Sequence, residues 1–321
     1  MDYSKLNDII KSSKNILIIS HVNPDGDTLG SMCGLYSAIL ENYKKRCDML
    51  AISKIPDVYS YLPHLSDVKH LDDVDKSREY DLVINVDVAS IDRICDAKIL
   101  FDKAKFNVNI DHHKTNNAYG KLNFINPGAS STGEVLFECF SRMGWKVNLN
   151  TAICIYTAIL TDTGSFRFDN TKPSTFETAS KLVKIGVNPS DIYKKVYESD
   201  SKTLVMFQAH CISKAKFLND DKIAYTLVYK KDMEKFGAGD DCMEGLTEKL
   251  RAIVTTRIAF VAKEMKSGGT KISMRSKFAD VAEICGIFGG GGHKYAAGCT
   301  IKAPVEDAAR KILEEIKKHE I

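Results

Sequence analysis

Short apolar runs alternate with helical patterns through the first half of the chain. Runs with the length and composition of buried strands cover residues 14–20, 46–53, 81–88 and 106–110. Apolar residues at helical spacing cover residues 28–43, 131–142, 151–160 and 173–185. Strands that alternate with helices in this way predict an α/β lobe over residues 1–190, with a mostly parallel sheet and helices on both faces.

A second, smaller α/β lobe is predicted over residues 211–321. It follows residues 191–210, which are helical in pattern, polar and rich in lysine, and which we interpret as a connector. The predicted strands of this lobe are residues 223–229 and 270–275, and its predicted helices are residues 244–253, 278–284 and 305–319.

Composition excludes several classes of protein. The chain has 321 residues, 44% of them hydrophobic and 27% charged, as in a globular protein of about two domains. Its formal net charge of +3 is too small to indicate a nucleic-acid binder, so any polyanion site must be local. We expect no membrane partner, because no apolar run approaches ~18 residues and the polar start does not resemble a signal peptide. Nine cysteines without a C-x-x-C pair are typical of reduced thiols, and we expect a cytoplasmic protein.

Four acidic or histidine-bearing clusters lie in the first lobe. They are His21-Val22-Asn23-Pro24-Asp25-Gly26-Asp27, Asn85-Val86-Asp87, Asp111-His112-His113 and Thr161-Asp162-Thr163-Gly164. The first three follow predicted strands, and ligands of open α/β sheets bind beyond the carboxyl ends of the strands. The fourth follows a predicted helix. We therefore expect the four clusters to form one site.

The residue types in these clusters are those that bind divalent cations. Asp25 and Asp27 lie in a loop expected to be extended, where they would point the same way and repel each other unless a cation lies beside them. The proposed ligands are His21, Asp25 and Asp87 for one ion, and Asp27, Asp87, His112 and Asp162 for the other. Carboxylates with some imidazole favour manganese or magnesium over a thiolate-bound zinc. Two such ions imply attack of an activated hydroxide on phosphorus.

Each cluster also has an ordinary structural explanation. An isolated Asp-Gly-Asp is usually a turn, a single Asp after a strand is commonly a helix N-cap, and a His-His pair is often part of a polar loop. The occurrence of all four clusters at the expected ends of elements is what favours a metal site.

A second candidate site lies in the glycine run of the second lobe, residues 289–292. Glycine has no Cβ, so backbone N–H groups in such a run can approach a phosphate closely. An arginine at the end of a predicted strand could add a bidentate hydrogen bond to a phosphate. The candidate substrate contacts are Arg275, Ser276, Gly290, Gly291, Gly292 and His293. The alternative explanation of the run is a flexible turn.

These motifs resemble those of the DHH phosphoesterase superfamily, which is named after the triplet found here as Asp111-His112-His113. Residues 271–276 and 289–298 look like the DHH-associated substrate domain, so the resemblance covers nearly the whole chain. Length and spacing are most similar to the branch that cleaves very short oligoribonucleotides and removes the 3′-phosphate of adenosine bisphosphate.

The resemblance implies a di-manganese site and catalysis in a cleft between the two lobes. It implies the metal ligands proposed above, with Asp87 as the catalytic residue shared between the ions. It makes His113 a partner of the substrate phosphate and Asp111 a support behind the site. In the second lobe it assigns Arg275, Ser276 and His293 to phosphate or nucleotide contacts.

We therefore expect a manganese-dependent phosphoesterase that acts on short oligoribonucleotides, on 3′-phosphoadenosine 5′-phosphate (pAp), or on both. No stable protein partner is expected, and a homodimer stays open. Alternatives within the class are a cyclic- or linear-dinucleotide phosphodiesterase, an inorganic pyrophosphatase and a RecJ-like exonuclease. The exonuclease is disfavoured because the sequence has no aromatic-basic stripe that would track a long strand. A non-catalytic nucleotide sensor is disfavoured because the metal ligands are complete.

Overall fold

The computed structural model describes residues 1–75 and 77–319, apart from the side chains of residues 240 and 241. The chain divides into two compact units, one over Met1–Ser199 and the other from Asp200 onward. Each unit has its own sheet and its own hydrophobic core. Among the described residues, no helix is both long and apolar enough to cross a bilayer.

The first unit is built on a parallel sheet, which has six strands in the described part of the chain. The strands are β1 (Ile16–Ile19), β2 (Asp48–Ala51), β3 (Val68–His70), β4 (Leu82–Val86), β5 (Phe106–Asp111) and β6 (Leu122–Ile125). Their order is β3-β2-β1-β4-β5-β6, and every neighbouring pair is parallel. The predicted parallel sheet is confirmed. The edge strands β3 and β6 have no clear apolar run in the sequence because they are only partly buried.

Helices cover both faces of this sheet, as predicted. The helices are α1 (Tyr3–Ser12), α2 (Gly26–Tyr43), α3 (Lys98–Lys103), α4 (Thr132–Arg142), α5 (Leu149–Asp162), α6 (Pro173–Ile185) and α7 (Pro189–Tyr197). Side chains of β1 alternate between the faces. Ile16 and Ile18 pack in the core formed with α1, α2, α4 and α5, whereas Leu17 and Ile19 pack in the core formed with α3.

The order of the strands reverses between β1 and β4. From β1 the chain runs outward through β2 and β3, then returns to β4 on the other side and continues to β5 and β6. In doubly wound sheets, ligands bind at this reversal, beyond the carboxyl ends of the strands. The topology therefore brings together the residues that follow β1, β4 and β5.

Next to this edge, α2 and α5 approach closely because glycines of α2 face α5. A Cβ at Gly26 would lie 2.5 Å from Thr161 Oγ1, and one at Gly30 would lie 2.5 Å from the carbonyl oxygen of Cys154. Real Cβ atoms do not make such contacts, so no other residue fits there without a shift of the helices. This packing holds the start of α2 against the end of α5.

The extended loop expected for residues 25–27 is wrong. Gly26 is the first residue of α2 and Asp25 is its N-cap, so Asp27 already lies in the helix. The physical reason is that the Asp25 side chain satisfies a free N–H group of the first helical turn. Gly26 is needed for close packing rather than for a special backbone conformation.

The second unit is a mixed sheet with helices on both faces. Its strands are β7 (Lys216–Leu218), β8 (Ile223–Val228), β9 (Ile258–Glu264), β10 (Thr270–Ser276), β11 (Gly291–His293) and β12 (Ala296–Ile301). Its helices are α8 (Lys202–Ser213), α9 (Lys230–Phe236), α10 (Leu246–Arg251), α11 (Val281–Ile287) and α12 (Val305–Ile316). The strand order is β11-β12-β10-β9-β8-β7, with β8 and β9 parallel and the other pairs antiparallel. The predicted α/β class is confirmed.

The sequence pattern under-predicts the strands of this unit. The end of the glycine run forms the edge strand β11, so the flexible-turn alternative is wrong for Gly291 and Gly292. The strand β12 contains Ala297, Gly298 and Cys299, which have weak strand preference, and its pairing with β10 stabilises it.

The segment expected to be a connector, residues 191–210, falls on two helices. Most of it belongs to α7 in the first unit and to α8 in the second unit. Phe207 and Cys211 of α8 are buried against β8 and α10 of the second unit.

Replacing Gly30 with alanine should destabilise the first unit. In an unconstrained helix, alanine is favoured over glycine by about 1 kcal/mol, but a Cβ at Gly30 meets the backbone of Cys154 and Ala158. Overpacking of this kind costs roughly 1–3 kcal/mol. We expect Gly30→Ala to lower the free energy of unfolding, measured in urea by the fluorescence of Trp145, the only tryptophan.

Gly34→Ala is the matched control for this measurement. A Cβ at Gly34 meets the end of the Ile155 side chain at 2.8 Å, and that side chain can move. The loss should therefore be smaller than for Gly30→Ala. If Gly30→Ala were the more stable of the two variants, the close-packing explanation would be wrong.

Candidate metal centre

His21 follows β1 and is almost fully buried. Its Nδ1 lies 2.8 Å from the carbonyl oxygen of Val22 and 3.0 Å from Nη2 of Arg93. Its Nε2 lies 3.4 Å from Asp87 Oδ2. Thr28 Oγ1 lies 2.5 Å from the same Nε2 and donates to Asp87 Oδ2 at 2.6 Å. Because Nδ1 is occupied by Val22 and Arg93, the nitrogen that faces Asp87 and is left for a metal is Nε2.

Asp25 and Asp27 have different surroundings. Asp25 is exposed, and its Oδ1 accepts a hydrogen bond from the N–H of Thr28 at 3.0 Å, as the N-cap of α2. Asp27 is buried, and its carboxylate accepts from the N–H groups of Thr132 at 2.7 Å and Gly133 at 3.0 Å. These groups form the N-terminus of α4, which stabilises a carboxylate by about 0.3–1 kcal/mol, or up to ~2 kcal/mol when partly buried. Because the cap of α2 uses only Oδ1 of Asp25, Oδ2 of that residue is available to bind a metal.

Asp87 lies at the centre of the site, directly after β4. Its φ of 61° is in the left-handed region, which is unusual for a residue other than glycine and is often associated with function. Its Oδ2 faces His21, whereas its Oδ1 accepts from Thr132 Oγ1 at 2.9 Å and lies 3.7 Å from His112 Nε2. The two oxygens thus face different groups of candidate ligands.

Asp111 ends β5, and its oxygens are occupied by hydrogen bonds from the turn that follows. Oδ1 accepts from the N–H of His112 at 2.8 Å and from Nδ1 of His113 at 2.7 Å. Oδ2 accepts from Asn116 Nδ2 at 2.6 Å. Asp111 therefore fixes the imidazole of His113 and the backbone of His112, and Nε2 is the nitrogen of His113 that stays available.

Nε2 of His112 is nearly equidistant from three carboxylates. It lies 3.6 Å from Asp27 Oδ2, 3.7 Å from Asp87 Oδ1 and 3.6 Å from Asp162 Oδ2. These distances are too long for hydrogen bonds. Ligands that bind one cation at about 2.1 Å lie roughly 3 Å apart or slightly more, so the spacing suits a cation among them. Asp162 is the last residue of α5, and Asn170 Nδ2 donates to its Oδ2 at 3.1 Å.

The four clusters converge in three groups of candidate ligands. The groups are Asp87, Asp111, His112 and His113; His21, Asp25 and Asp87; and Asp27, His112 and Asp162, each with ligand atoms within 4.8 Å of one another. The six residues expected from the sequence to be metal ligands make up the last two groups. These donors are oxygen and imidazole nitrogen, which suit manganese or magnesium better than a structural zinc.

Burial and crowding disfavour the ionised forms of two of these carboxylates. Burial, together with the charges of Asp87, Asp162 and Asp25, raises the pKa of Asp27 well above its ordinary value. Burial raises the pKa of Asp162 to about 6, although the imidazole of His112 opposes the shift. A bound cation relieves both effects, so the electrostatics of the site fit a metal.

Hydrogen bonds shift the pKa of two other groups. Burial raises the pKa of Asp87, but a hydrogen bond with His21 and the charges of His112 and His113 outweigh burial and hold the pKa at about 2. The hydrogen bond that His113 donates to the Asp111 carboxylate raises the pKa of His113 to about 9. Asp87 therefore favours the ionised form, in contrast to Asp27 and Asp162.

Polar residues outside the four clusters complete the site. They are Thr28, Arg93, Asn116, Thr132, Gly133 and Asn170. The sequence marks the start of α4 by a capping pattern, and Ser131 Oγ does accept from the N–H of Glu134. Nothing in that pattern indicates that the helix N-terminus points at Asp27, because the tertiary packing of α4 beside α2 decides this.

In the second unit, Arg275, Gly290 and Gly291 line an open pocket of about 580 Å³. Glu248 holds Arg275, because its Oε1 accepts a hydrogen bond from the arginine Nε at 2.6 Å. A Cβ at Gly290 would lie 2.2 Å from the carbonyl oxygen of Gly298, so this position admits no side chain. The glycine run thus keeps its backbone close to β12.

The other expected substrate contacts, Ser276, Gly292 and His293, are not part of the described lining of this pocket. Ser276 is buried, and its Oγ accepts hydrogen bonds from the N–H groups of Phe278 at 3.0 Å and Ala279 at 2.8 Å. Gly292 has a φ of 148°, and His293 is exposed on β11. The hydroxyl of Ser276 therefore stabilises the turn after β10.

A divalent cation should stabilise the first unit. A ligand at a hundredfold its dissociation constant stabilises a folded protein by about 2.7 kcal/mol. We expect Mn²⁺ to raise the unfolding temperature of the wild type, and Asp87→Ala to abolish the rise, because Asp87 belongs to two of the three groups. The control is Asp92→Ala, which removes an exposed carboxylate nearby in the sequence and should keep the rise. An undiminished rise in Asp87→Ala would contradict the placement of Asp87 in a metal site.

Comparison with known proteins places this site in a family. The chain matches the DHH family, N-terminal domain, over residues 15–159 and the DHHA1 domain over residues 220–319. It is 31% identical to the bifunctional oligoribonuclease and PAP phosphatase NrnA of Bacillus subtilis (strain 168), covering 95% of this chain and 96% of the relative. It is 29% identical to the NrnA of Thermus thermophilus, covering 94% of this chain and 89% of the relative.

A solved structure of an exopolyphosphatase-related protein from Bacteroides fragilis is similar over 98% of this chain and 95% of that chain, with a TM-score of 0.92 and 26% identity. Both the fold and the motifs therefore agree with the resemblance predicted from Asp111-His112-His113, and that prediction is confirmed. The chain belongs to the DHH family of metal-dependent phosphoesterases, and it has clustered side chains that could hold a metal.

Proposed function

We propose that this phosphoesterase uses two divalent cations, natively manganese, to hydrolyse short oligoribonucleotides and pAp. The observation that carries the proposal is the position of Asp87, whose two oxygens face two different groups of candidate ligands. Support for the substrates comes from the relatives, which are named as oligoribonuclease and PAP phosphatase.

The proposed ligands divide between the two cations as their distances suggest. His21, Asp25 and Asp87 would hold one cation. Asp27, His112 and Asp162 would hold the other together with Asp87, whose Oδ1 lies 3.7 Å from His112 Nε2. The four carboxylates offset the charge of two divalent cations, which leaves a site that accepts an anionic phosphate. Imidazole in each group favours manganese over magnesium, which demands near-ideal octahedral geometry and retains several waters. When bound, such cations stabilise the charge that develops on phosphate and lower the pKa of water.

His113 would contact the phosphate that is attacked. Asp111 accepts a hydrogen bond from its Nδ1 at 2.7 Å, which leaves Nε2–H to donate to a phosphate oxygen. A donor fixed in advance at the place where charge develops stabilises the transition state. Asp111 acts through His113 and is a positioning residue.

The second unit would bind the part of the substrate that does not react. Arg275 and the glycine run line one pocket, and both suit a phosphate or a nucleotide. Contacts remote from the reacting bond position it, so they raise kcat/KM rather than metal affinity. His293, exposed on the adjacent edge strand, would add a further polar contact.

A substrate panel tests the proposal. The substrates are pAp, the dinucleotides pApA and pGpG, a pentaribonucleotide, a long RNA and pyrophosphate, with products separated by chromatography. With Mn²⁺, we expect hydrolysis of pAp and of the short oligoribonucleotides, and little hydrolysis of the long RNA or of pyrophosphate. Excess chelator should abolish activity, and Mn²⁺ should restore it better than Ca²⁺, which prefers more ligands and longer bonds.

Two results of the panel would each contradict a different part of the proposal. Full turnover in excess chelator would exclude the two-cation mechanism. A preference for pyrophosphate or for the long RNA would exclude the proposed substrates, even if activity depended on Mn²⁺.

Removal of Arg275 should affect nucleotides selectively. We expect Arg275→Ala to lower kcat/KM for the pentaribonucleotide at least about tenfold, because hydrogen bonds to charged groups contribute roughly 1.5–3 kcal/mol. Hydrolysis of a small chromogenic diester, which has no further nucleotide for the second unit to bind, should change little. His293→Ala should show the same selectivity.

Glu248→Gln is the control for Arg275→Ala. It weakens the ion pair that Arg275 makes within the protein but retains the guanidinium. Its activity on the pentaribonucleotide should stay close to that of the wild type. Equal losses on the diester and the pentaribonucleotide would mean that Arg275 acts through folding or at the metal centre.

A further inference from the structure

An exposed face of the second unit combines two aromatic rings with two cations. Phe278 is 68% exposed and Tyr295 is 44% exposed. The guanidinium of Arg257 lies 5.7 Å from the centre of the Phe278 ring, and Lys294 Nζ lies 5.5 Å from the centre of the Tyr295 ring. We call these four residues the basic aromatic face.

Three segments that are distant in sequence build this face at one end of the sheet. Arg257 precedes β9, Phe278 follows β10, and Tyr295 precedes β12. Backbone hydrogen bonds join the segments, from Lys277 N–H to the Arg257 carbonyl oxygen at 2.9 Å and from Ser276 N–H to that of Tyr295 at 3.0 Å. The two rings are therefore attached to segments that backbone hydrogen bonds hold together. Because these segments are far apart in the sequence, they form no aromatic-basic stripe along the chain.

The local charge of the face is positive. Within the described residues, neither Arg257 nor Lys294 takes part in an ion pair. The nearby carboxylate of Asp280 is engaged as the N-cap of α11, where it accepts from the N–H of Ala282 at 3.0 Å. The face also adjoins Arg275, whose partner across the sheet is the residue after Tyr295.

Exposed rings beside cations fit a single-stranded oligonucleotide. Bases stack on aromatic side chains whatever their sequence, and the phosphates between them pair with neighbouring cations. A protein partner fits less well, because lysine is depleted in protein interfaces and the face contains the exposed Lys294.

We propose that the basic aromatic face binds the bases of an oligoribonucleotide beyond the first nucleotide, an inference that rests on the proposed function. Phe278 and Tyr295 would each stack with one base, while Arg257 and Lys294 contact the linking phosphates. The contribution of the face then grows with the number of bases. A substrate with a single base, such as pAp, gains nothing from it.

The test measures kcat/KM on pAp and on a pentaribonucleotide with Mn²⁺. We expect Phe278→Ala and Tyr295→Ala each to lower kcat/KM for the pentaribonucleotide about tenfold, the effect of losing one base stack. Activity on pAp should be unchanged, which also shows that each variant folds. Phe278→Tyr, which retains a ring, should recover the loss. Phe217→Ala is the matched control, because Phe217 is a 41% exposed ring on β7, at the opposite edge of the sheet.

The possible outcomes separate the inference from the proposed function. Normal cleavage of the pentaribonucleotide by Phe278→Ala and Tyr295→Ala would overturn the inference alone, as would equal losses on pAp and the pentaribonucleotide. A wild type that acts on neither substrate would overturn the proposed function and the inference with it. A wild-type dimer that Phe278→Ala converts to a monomer, measured by light scattering, would assign the face to a second copy of the chain instead.

Discussion

The constraint on which the first unit depends is electrostatic repulsion, because four carboxylates are crowded at one edge of its parallel sheet. Two carboxylates about 4 Å apart repel by about 4 kcal/mol at an effective dielectric constant of about 20. Asp25, Asp27, Asp87 and Asp162 converge there. The N-terminus of α4 offsets at most ~2 kcal/mol of this for Asp27. The helix N-terminus alone is therefore too weak to balance the charge. The raised pKa values of Asp27 and Asp162 reflect the remaining repulsion, which bound cations would relieve.

The fold enforces this crowding through rigid elements rather than flexible loops. The reversal of strand order places the residues after β1 and β4 side by side, and glycines of α2 allow its N-terminus to approach α5. Asp25 caps α2, Asp162 ends α5, and Asp87 follows β4. Ligands fixed at the ends of packed elements hold a metal geometry more precisely in position than ligands on long loops do.

Periodicity in the sequence was sufficient to predict those helices and strands that are buried uniformly or on one side. The buried strand β4 and the amphipathic helix α6 are such cases, and the expected strand-end positions of His21, Asp87 and Asp111 follow from them. The helix α1 buries only Leu6 and Ile10, so its pattern is too sparse to detect. The strand β12 is stabilised by its neighbours rather than by its own residues. Contacts such as Thr132 with Asp87 depend on tertiary packing, and local sequence contains no signal for them.

The most direct test of the shared carboxylate is a titration of metal-free protein with Mn²⁺, followed by electron paramagnetic resonance. If Asp87 connects two ions, the spectrum of isolated Mn²⁺ should give way to that of an exchange-coupled pair as the second ion binds. The same titration of Asp87→Ala should not produce the coupled spectrum. A saturated wild type that retains the spectrum of isolated Mn²⁺ would contradict the account.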